Sequence, residues 1–377
     1  MICEDGDCVN PRPSLDHVLR AVAVHHLPGA PRIPDLSAAQ PHPVDPQELV
    51  RRAEGEKLLG SLQAAVTSGL LELPSDALDL LAQRHRATMA WCLRIEARLV
   101  ETERWFREEG GVEHLVIKGS AIAHLDEPDP SMRSFADADL LVAGRDIDRA
   151  VAALARHGAT RPWPQRRRGF DRRFAKSVTM TSKGGIEIDL HRTLCDGVFG
   201  VRMPLDELFD RAECFTLGGE QMGALSRPHR LLHAAYHAVL GSSAPALYSL
   251  RDLAGYLSSP ELAPVAIVPV VQRWRGEAVL AAAVRATLGE LQFDAGDWPG
   301  WLADVRVDAD ERDLVRRQRT EGSSIGPAKL DMWRELPGVR LKAAYARAVL
   351  WPSSAHLSSR GLTRRQVWSG WLRRSGA

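Results

Sequence analysis

Two short apolar runs, FADADLLV and IEIDLH, follow the glycine turn of LVIKGS between Leu115 and His191, and each carries acidic residues at alternate positions. Side chains at i and i+2 of a strand share a face, so Asp137 projects with Asp139, and Glu187 with Asp189. Carboxylates held a few ångströms apart raise one another's pKa unless a cation sits between them. Mg²⁺ suits such a site, because it takes hard oxygen ligands from one or two carboxylates and fills its shell with water and substrate phosphates. A lone DxD at a strand mouth is usually solvated surface. The second acidic pair shifts the balance, and so does the Gly119-Ser120 turn opening a helix, where free N–H groups and the positive dipole end can receive a nucleotide's terminal phosphates. Lys118, just before the turn, reads equally as a functional residue and as a strand-end lysine paired with a nearby carboxylate.

At 377 residues the chain is long enough for two or three packed regions. Lys plus Arg (49) nearly balances Asp plus Glu (48), so any basic site must be local and nucleic acid is not an expected partner. The start, MICEDGDCVNPRPS, is acidic and polar, and no run of about 18 apolar residues occurs, which predicts a cytoplasmic protein with no membrane partner. The cysteines (Cys3, Cys8, Cys92, Cys195, Cys214) are scattered without a CxxC, and Cys3 and Cys8 read as part of a loose tail.

Ser14 is the expected N-cap of a first helix, and the proline-rich stretch after it, ending at Asp45, is a loop. Helical spacing then runs to about Phe106, with Pro74 and Ser75 opening a long helix. After Gly110-Gly111 the period changes: strand HLVIK, helix SAIAHL, strand DADLLVA, and a helix from Asp146 to Gly158. RPWPQRRRGFDRRFAK reads as a loop and strand start, KSVTMTSKGGIEIDLH as a hairpin turning at Lys183-Gly184-Gly185, and ECFTLGGEQMGALS as a second hairpin. Beyond Arg227 the chain returns to helix, including VRLKAAYARAVL before Pro352.

Other candidates are weaker. The basic run Arg166, Arg167, Arg168, Arg172, Arg173 and Lys176 suits a triphosphate or an anionic acceptor, but such runs more often form solvated loops. His229, His233 and His237 share a helix face without an HExxH, so capping or partly buried histidines are expected. His191 follows the third motif as a neighbour of the site, and Asp252 is an acceptor-binding candidate or a helix-surface aspartate paired with an arginine. The ten tryptophans read mostly as packing residues, with Trp368 and Trp371 as possible anchors of a partner or the tail.

A glycine-serine turn, an apolar strand with alternating aspartates, and a later strand with a third acid together resemble the nucleotidyltransferase superfamily typified by DNA polymerase β and the aminoglycoside nucleotidyltransferases. More narrowly, IKGSAIAHL, MRSFADADLLV and IEIDLH look like the uncharacterised nucleotidyltransferase family of bacterial proteins. The resemblance covers most of the chain and implies an α+β fold: a nucleotidyltransferase mixed-sheet core (107–226) flanked by helical regions at 1–106 and 227–377. It assigns Asp137 and Asp139 to metal ions, with Asp189 as the third carboxylate that orients or deprotonates the attacking hydroxyl. Gly119 and Ser120 would hold the phosphates, helped by Lys118 or Arg133. Glu187, His191, Arg172, Asp252 and His233 are second-rank neighbours or acceptor contacts. Two features depart from the wider superfamily: Lys118 stands where many branches carry an apolar residue, and the gap from Gly119 to Asp137 is longer than in the smallest members. The activity implied is transfer of a nucleoside monophosphate from an NTP, with two Mg²⁺ ions, to a hydroxyl or phosphate of a small molecule or peptide. Some relatives are encoded beside lasso-peptide and other natural-product pathways, which points to peptide or metabolite modification. The alternative is a non-catalytic nucleotide- or peptide-binding regulator that keeps the fold.

Overall fold

The computed structural model describes residues 14–33, 44–321 and 327–367. Cys3, Cys8, Trp368, Trp371 and part of the proline-rich loop lie outside the described residues. Helices α1 (Leu15–Val24), α2 (Pro46–Gly55), α3 (Leu59–Thr67) and α4 (Ser75–Glu108) come first. Ser14 is the expected cap, its Oγ accepting from His17 N at 3.2 Å, and Asp45, where the proline-rich loop was expected to end, accepts from Gln47 N at 2.9 Å with Pro46 at the first helical position. Along α4 the buried residues Cys92, Ile95, Leu99, Thr102 and Phe106 fall at alternating three- and four-residue steps. That stripe is narrow, so this long helix buries one edge and exposes the rest.

The middle of the chain runs β1 (His114–Val116), α5 (Gly119–Leu125), β2 (Ala138–Val142), α6 (Ile147–Arg156), α7 (Asp171–Phe174), β3 (Ser177–Thr181), β4 (Glu187–His191), α8 (Gly197–Arg202), α9 (Leu205–Asp210), β5 (Glu213–Leu217) and β6 (Glu220–Ala224). The strands form one mixed six-stranded sheet in the order β3-β4-β2-β1-β6-β5. Neighbours β2/β4 and β1/β6 are parallel, and the remaining pairs antiparallel. Both predicted hairpins are present, turning at Gly184-Gly185 and Gly218-Gly219, all four glycines with positive φ. The short helices α8 and α9 carry too few residues to give a periodic signal in the sequence.

Helices α10 (Arg227–Leu240), α11 (Leu247–Leu257), α12 (Pro264–Arg273), α13 (Glu277–Glu290), α14 (Trp298–Asp304), α15 (Ala309–Glu321), α16 (Pro327–Glu335), α17 (Gly338–Leu350) and α18 (Ser354–Ser359) complete the described chain. The architecture is α+β. One sheet face, with Leu140, Val142, Val178 and Ile188, packs on α4 and α6. The other, with Leu115 and Leu141, packs on α10 and α13 through Leu231, Tyr236 and Leu280. Alternation along β2 therefore puts Asp139 on the face of Leu141, beneath the C-terminal helices.

Three buried arginine–carboxylate pairs fasten α10 and α11 to the segment after α5. Arg230 grips Asp126 at 2.8 and 2.9 Å, with Tyr256 Oη donating to the same carboxylate at 2.6 Å. Arg251 is bidentate to Glu127 at 2.6 Å twice and donates to Ser61 Oγ at 3.0 Å. Arg133 closes on Asp252 at 2.8 to 3.1 Å. Such pairs are worth little against an apolar replacement but cost much when half is removed. Arg251→Met should lower stability by about 3–5 kcal/mol in a denaturant titration. Arg251→Met/Glu127→Leu should recover most of that loss; equal damage in both variants would refute the pairing argument.

Candidate active site

Asp139 is the most confined acid of the site, with its side chain 5% exposed. Its Oδ1 receives Lys118 Nζ at 3.0 Å and His191 Nε2 at 2.6 Å. Burial pushes this carboxyl up, but the charge of Lys118 and the bonds from His191 and Lys118 outweigh it and hold it far below the usual carboxylate range. Lys118 reaches it from strained backbone, φ 57° and ψ −153°, at the entry to α5. A lysine in such a conformation costs about 1–3 kcal/mol. Next to it Gly119 has φ 34°, and a Cβ there would stand 3.3 Å from the Phe135 ring and Cβ. The turn is thus shut against both side chains and ordinary dihedrals.

The parallel pairing of β2 and β4 sets Asp139 opposite Asp189. Thr179 on β3, also opposite Asp189, donates its hydroxyl to Oδ1 at 2.5 Å. His191, two residues on, lies on the same face and is 1% exposed. Burial lowers its pKa despite the Asp139 bond, so the neutral ring donates from Nε2 and leaves buried Nδ1 without a partner. Donor atoms of Asp139, Asp189 and His191 lie within 4.8 Å of one another. Sequence reasoning had His191 as a neighbour only; its i+2 spacing from Asp189 was the available signal.

Asp137 precedes β2 and is half-buried. Burial raises its pKa, the charge of Asp139 adds to this, and Lys118 and Lys57 offset it in part, with Asp189 contributing further upward push. This is a carboxylate cluster short of positive charge, and it fits a hard divalent cation. Glu187, opposite Thr181, is exposed at the outer end of β4.

Asp137 and Asp139 border a pocket of about 110 Å³ with Lys57, Lys118, Gly119, His233 and Tyr248 on its wall. That volume suits phosphate groups rather than a whole nucleotide. Arg133 and Asp252 border it too, but bound to each other, and a further Arg133 nitrogen donates to Ser134 O. Ser120 is 2% exposed and gives its hydroxyl to Glu96 of α4 at 3.1 Å, so of this turn Lys118 and Gly119 border the pocket and the Ser120 hydroxyl is turned to α4. Lys57 was not found from the sequence; it arrives from the end of α2 and lies 4.7 Å over the Tyr248 ring.

Of the three spaced histidines, His233 and His237 line the pocket, while His229 bonds Ser226 Oγ at 3.0 Å and stacks on Trp274. His237 meets Ser249 Oγ at 3.2 Å and burial pushes its pKa down to about 3; His233 is buried and lowered likewise. Both are neutral at physiological pH. Arg172 is exposed, 3.8 Å from Asp148 on α6, away from these carboxylates.

Aspartates facing one another across parallel strands, beside a glycine turn that opens a helix, define a phosphoryl-transfer class of site. The chain belongs to the uncharacterised nucleotidyltransferase family, whose model matches residues 42–287, and an NTP substrate follows from that membership. Comparison with curated proteins and with solved structures found no match. No single helix of the described residues is long and apolar enough to cross a membrane.

The electrostatics of Asp137 have a testable consequence. Its folded pKa lies above the ordinary 3.8, so ionisation costs stability at neutral pH, and the cost disappears as pH falls below that value. Without divalent cations, Asp137→Asn should raise Tm by about 1–2 °C at pH 7 and leave it unchanged near pH 3.5. A lower Tm at pH 7 would show that Asp137 is stabilised by its neighbours.

Proposed function

We propose that the protein transfers a nucleoside monophosphate from an NTP to a hydroxyl or phosphate of a small molecule or peptide. The observation that carries the reading is the Asp139–Asp189 register pair, with Asp137 raised in pKa beside it. Asp137, Asp139 and Asp189 would hold Mg²⁺, two ions by family resemblance, which when bound neutralises charge at the α-phosphate and the departing pyrophosphate.

The remaining roles belong to the chain. The backbone at Gly119 and Ser120 receives the terminal phosphates, with Lys57 and the Asp139-bound Lys118 as the pocket's positive charge. Asp189, fixed by Thr179, orients the acceptor hydroxyl and takes its proton. The acceptor oxygen then bonds to the α-phosphorus in line as the bond to the α–β bridging oxygen breaks, and pyrophosphate leaves with the electron pair. Arg133 acts here as a positioning residue: its fork holds Asp252 and so keeps α11 against the phosphate pocket. Glu187, at the open end of β4, is an acceptor-side neighbour. We read the regions 1–106, 107–226 and 227–377 as helical flank, transferase core and acceptor-side helices. Peptide or metabolite modification in a natural-product pathway of the cytoplasm is the setting this reading favours.

Asp137→Asn is the sharper test, because Asp139→Asn would also strip Lys118 and His191 of their shared partner. With each of the four NTPs, Mg²⁺ and a cell extract, pyrophosphate release and acceptor labelling should fall at least about 100-fold in a folded Asp137→Asn variant. The Asp137→Asn/Asp139→Asn variant should be as inactive. Undiminished turnover in either folded variant would sink the assignment, and nucleotide binding without any turnover in the native chain would favour the non-catalytic regulator.

A further inference from the structure

A second cleft, of about 490 Å³, opens between the segment leading into β3 and helices α16 to α18. Its making explains the basic run. Ser353 N donates to Arg166 O at 2.7 Å, His356 Nδ1 meets Pro164 O at 2.9 Å, and Phe174 packs with Met332, Leu336 and Tyr345. The Arg-rich segment is therefore a structural wall closed by the C-terminal helices. Into the cleft face Arg166, Lys176 and Lys329, and none of them makes an ion pair with a described residue. The acids on the wall balance them only in part: Asp171 is bound to Arg161 at 2.6 Å, and the charge of Asp196, which also caps α8 through Gly197 N at 2.8 Å, is a single negative charge acting on all three.

Cations removed from water without a counter-charge are costly, and burial already drives Lys176 and Lys329 toward their neutral forms. An anion is the missing partner. The position of the cleft says what that anion does. Thr179 lines it and holds Asp189 by its hydroxyl, while Lys176 feels the charges of Lys118 and Asp139. Asp189 is thus reached through its partner from this cleft, whereas Asp137, Asp139 and Gly119 border the smaller phosphate pocket.

We propose that this cleft seats the acceptor, and that the acceptor is a small anionic molecule whose phosphate or carboxylate group is held by Arg166, Lys176 and Lys329 with its hydroxyl toward Asp189. The volume lies within the range of metabolite-sized sites. The acceptor role rests on the nucleotidyl-transfer reading; the anion site itself does not.

The test uses the full chain, with inorganic phosphate and succinate as probe anions that separate the two headgroups. Lys329→Gln and Arg166→Gln each remove an unpaired cation, so both variants should fold with a ligand-free Tm no lower than the native one. Calorimetry should show the preferred anion bound at least about tenfold more weakly by each variant, and Mg²⁺ with a non-hydrolysable NTP analogue bound within about twofold of the native affinity. Unchanged anion binding in both variants would overturn the proposal. So would a parallel loss of NTP-analogue binding, which would make the cleft the triphosphate's seat. Anion binding that depends on Lys329 in a native chain that binds none of the four NTPs would instead overturn the nucleotidyl-transfer reading, and the acceptor role with it, while leaving an anion site.

Discussion

The structure turns on one buried charge. Asp139 lies beneath the C-terminal helices with almost no access to water, and an ionised carboxylate can remain there only if a cation and a hydrogen-bond donor meet it at short range. Lys118 and His191 do so, and each imposes a condition on the fold. Lys118 needs positive φ immediately before the glycine turn, which fixes how β1 passes into α5. His191 needs β4 parallel to β2 in the register that also brings Asp189 opposite Asp139. A one-residue slip would turn Asp189 and His191 to the other face together.

Covering that charge requires α10 and α11 to sit in one place, and apolar packing alone is tolerant of sliding. The paired arginines remove the tolerance: Arg230 and Arg251, from helices that otherwise offer interchangeable leucines and alanines, and Arg133, from the loop before β2, each meet a carboxylate at short range. Their partners Asp126 and Glu127 follow α5 directly, so the same short segment carries the phosphate turn at one end and the helix clamp at the other. Glu96 extends this to α4, accepting from Ser120 and lying 2.8 Å from His124.

Local rules made much of this legible. Alternation found β2 and β4 with their acids, double glycines found both hairpins, and Ser14 capped the helix it was expected to cap. The choice of partner for a charge was not legible. Arg133 and Asp252 were separately plausible as phosphate and acceptor contacts, yet the chain folds so that these residues, 119 positions apart, bind each other. Lys57 had no local mark, because its relevance comes only from where α2 ends. The basic run looked like solvated loop, and Arg168, Arg172 and Arg173 are indeed exposed, but Arg167 donates to Trp351 O and His356 meets Pro164 O across nearly two hundred residues, which no charge pattern signals.

Net charge misleads for the same reason. A formal balance of +1 excludes a general affinity for polyanions, but it averages over a strongly segregated interior. The aspartates stand together on one sheet face, Lys57 and Lys118 border them on one side, and Arg166, Lys176 and Lys329 line the cleft on the other. Each group is poorly matched within the protein alone: Asp137 is pushed toward protonation, Lys176 and Lys329 toward neutrality. Had the fold been selected for stability only, these charges would have been paired as Arg251 and Glu127 are. Mismatch of opposite sign in adjoining spaces is the condition under which a cation and two anions, bound together, each relieve a cost that the empty protein carries.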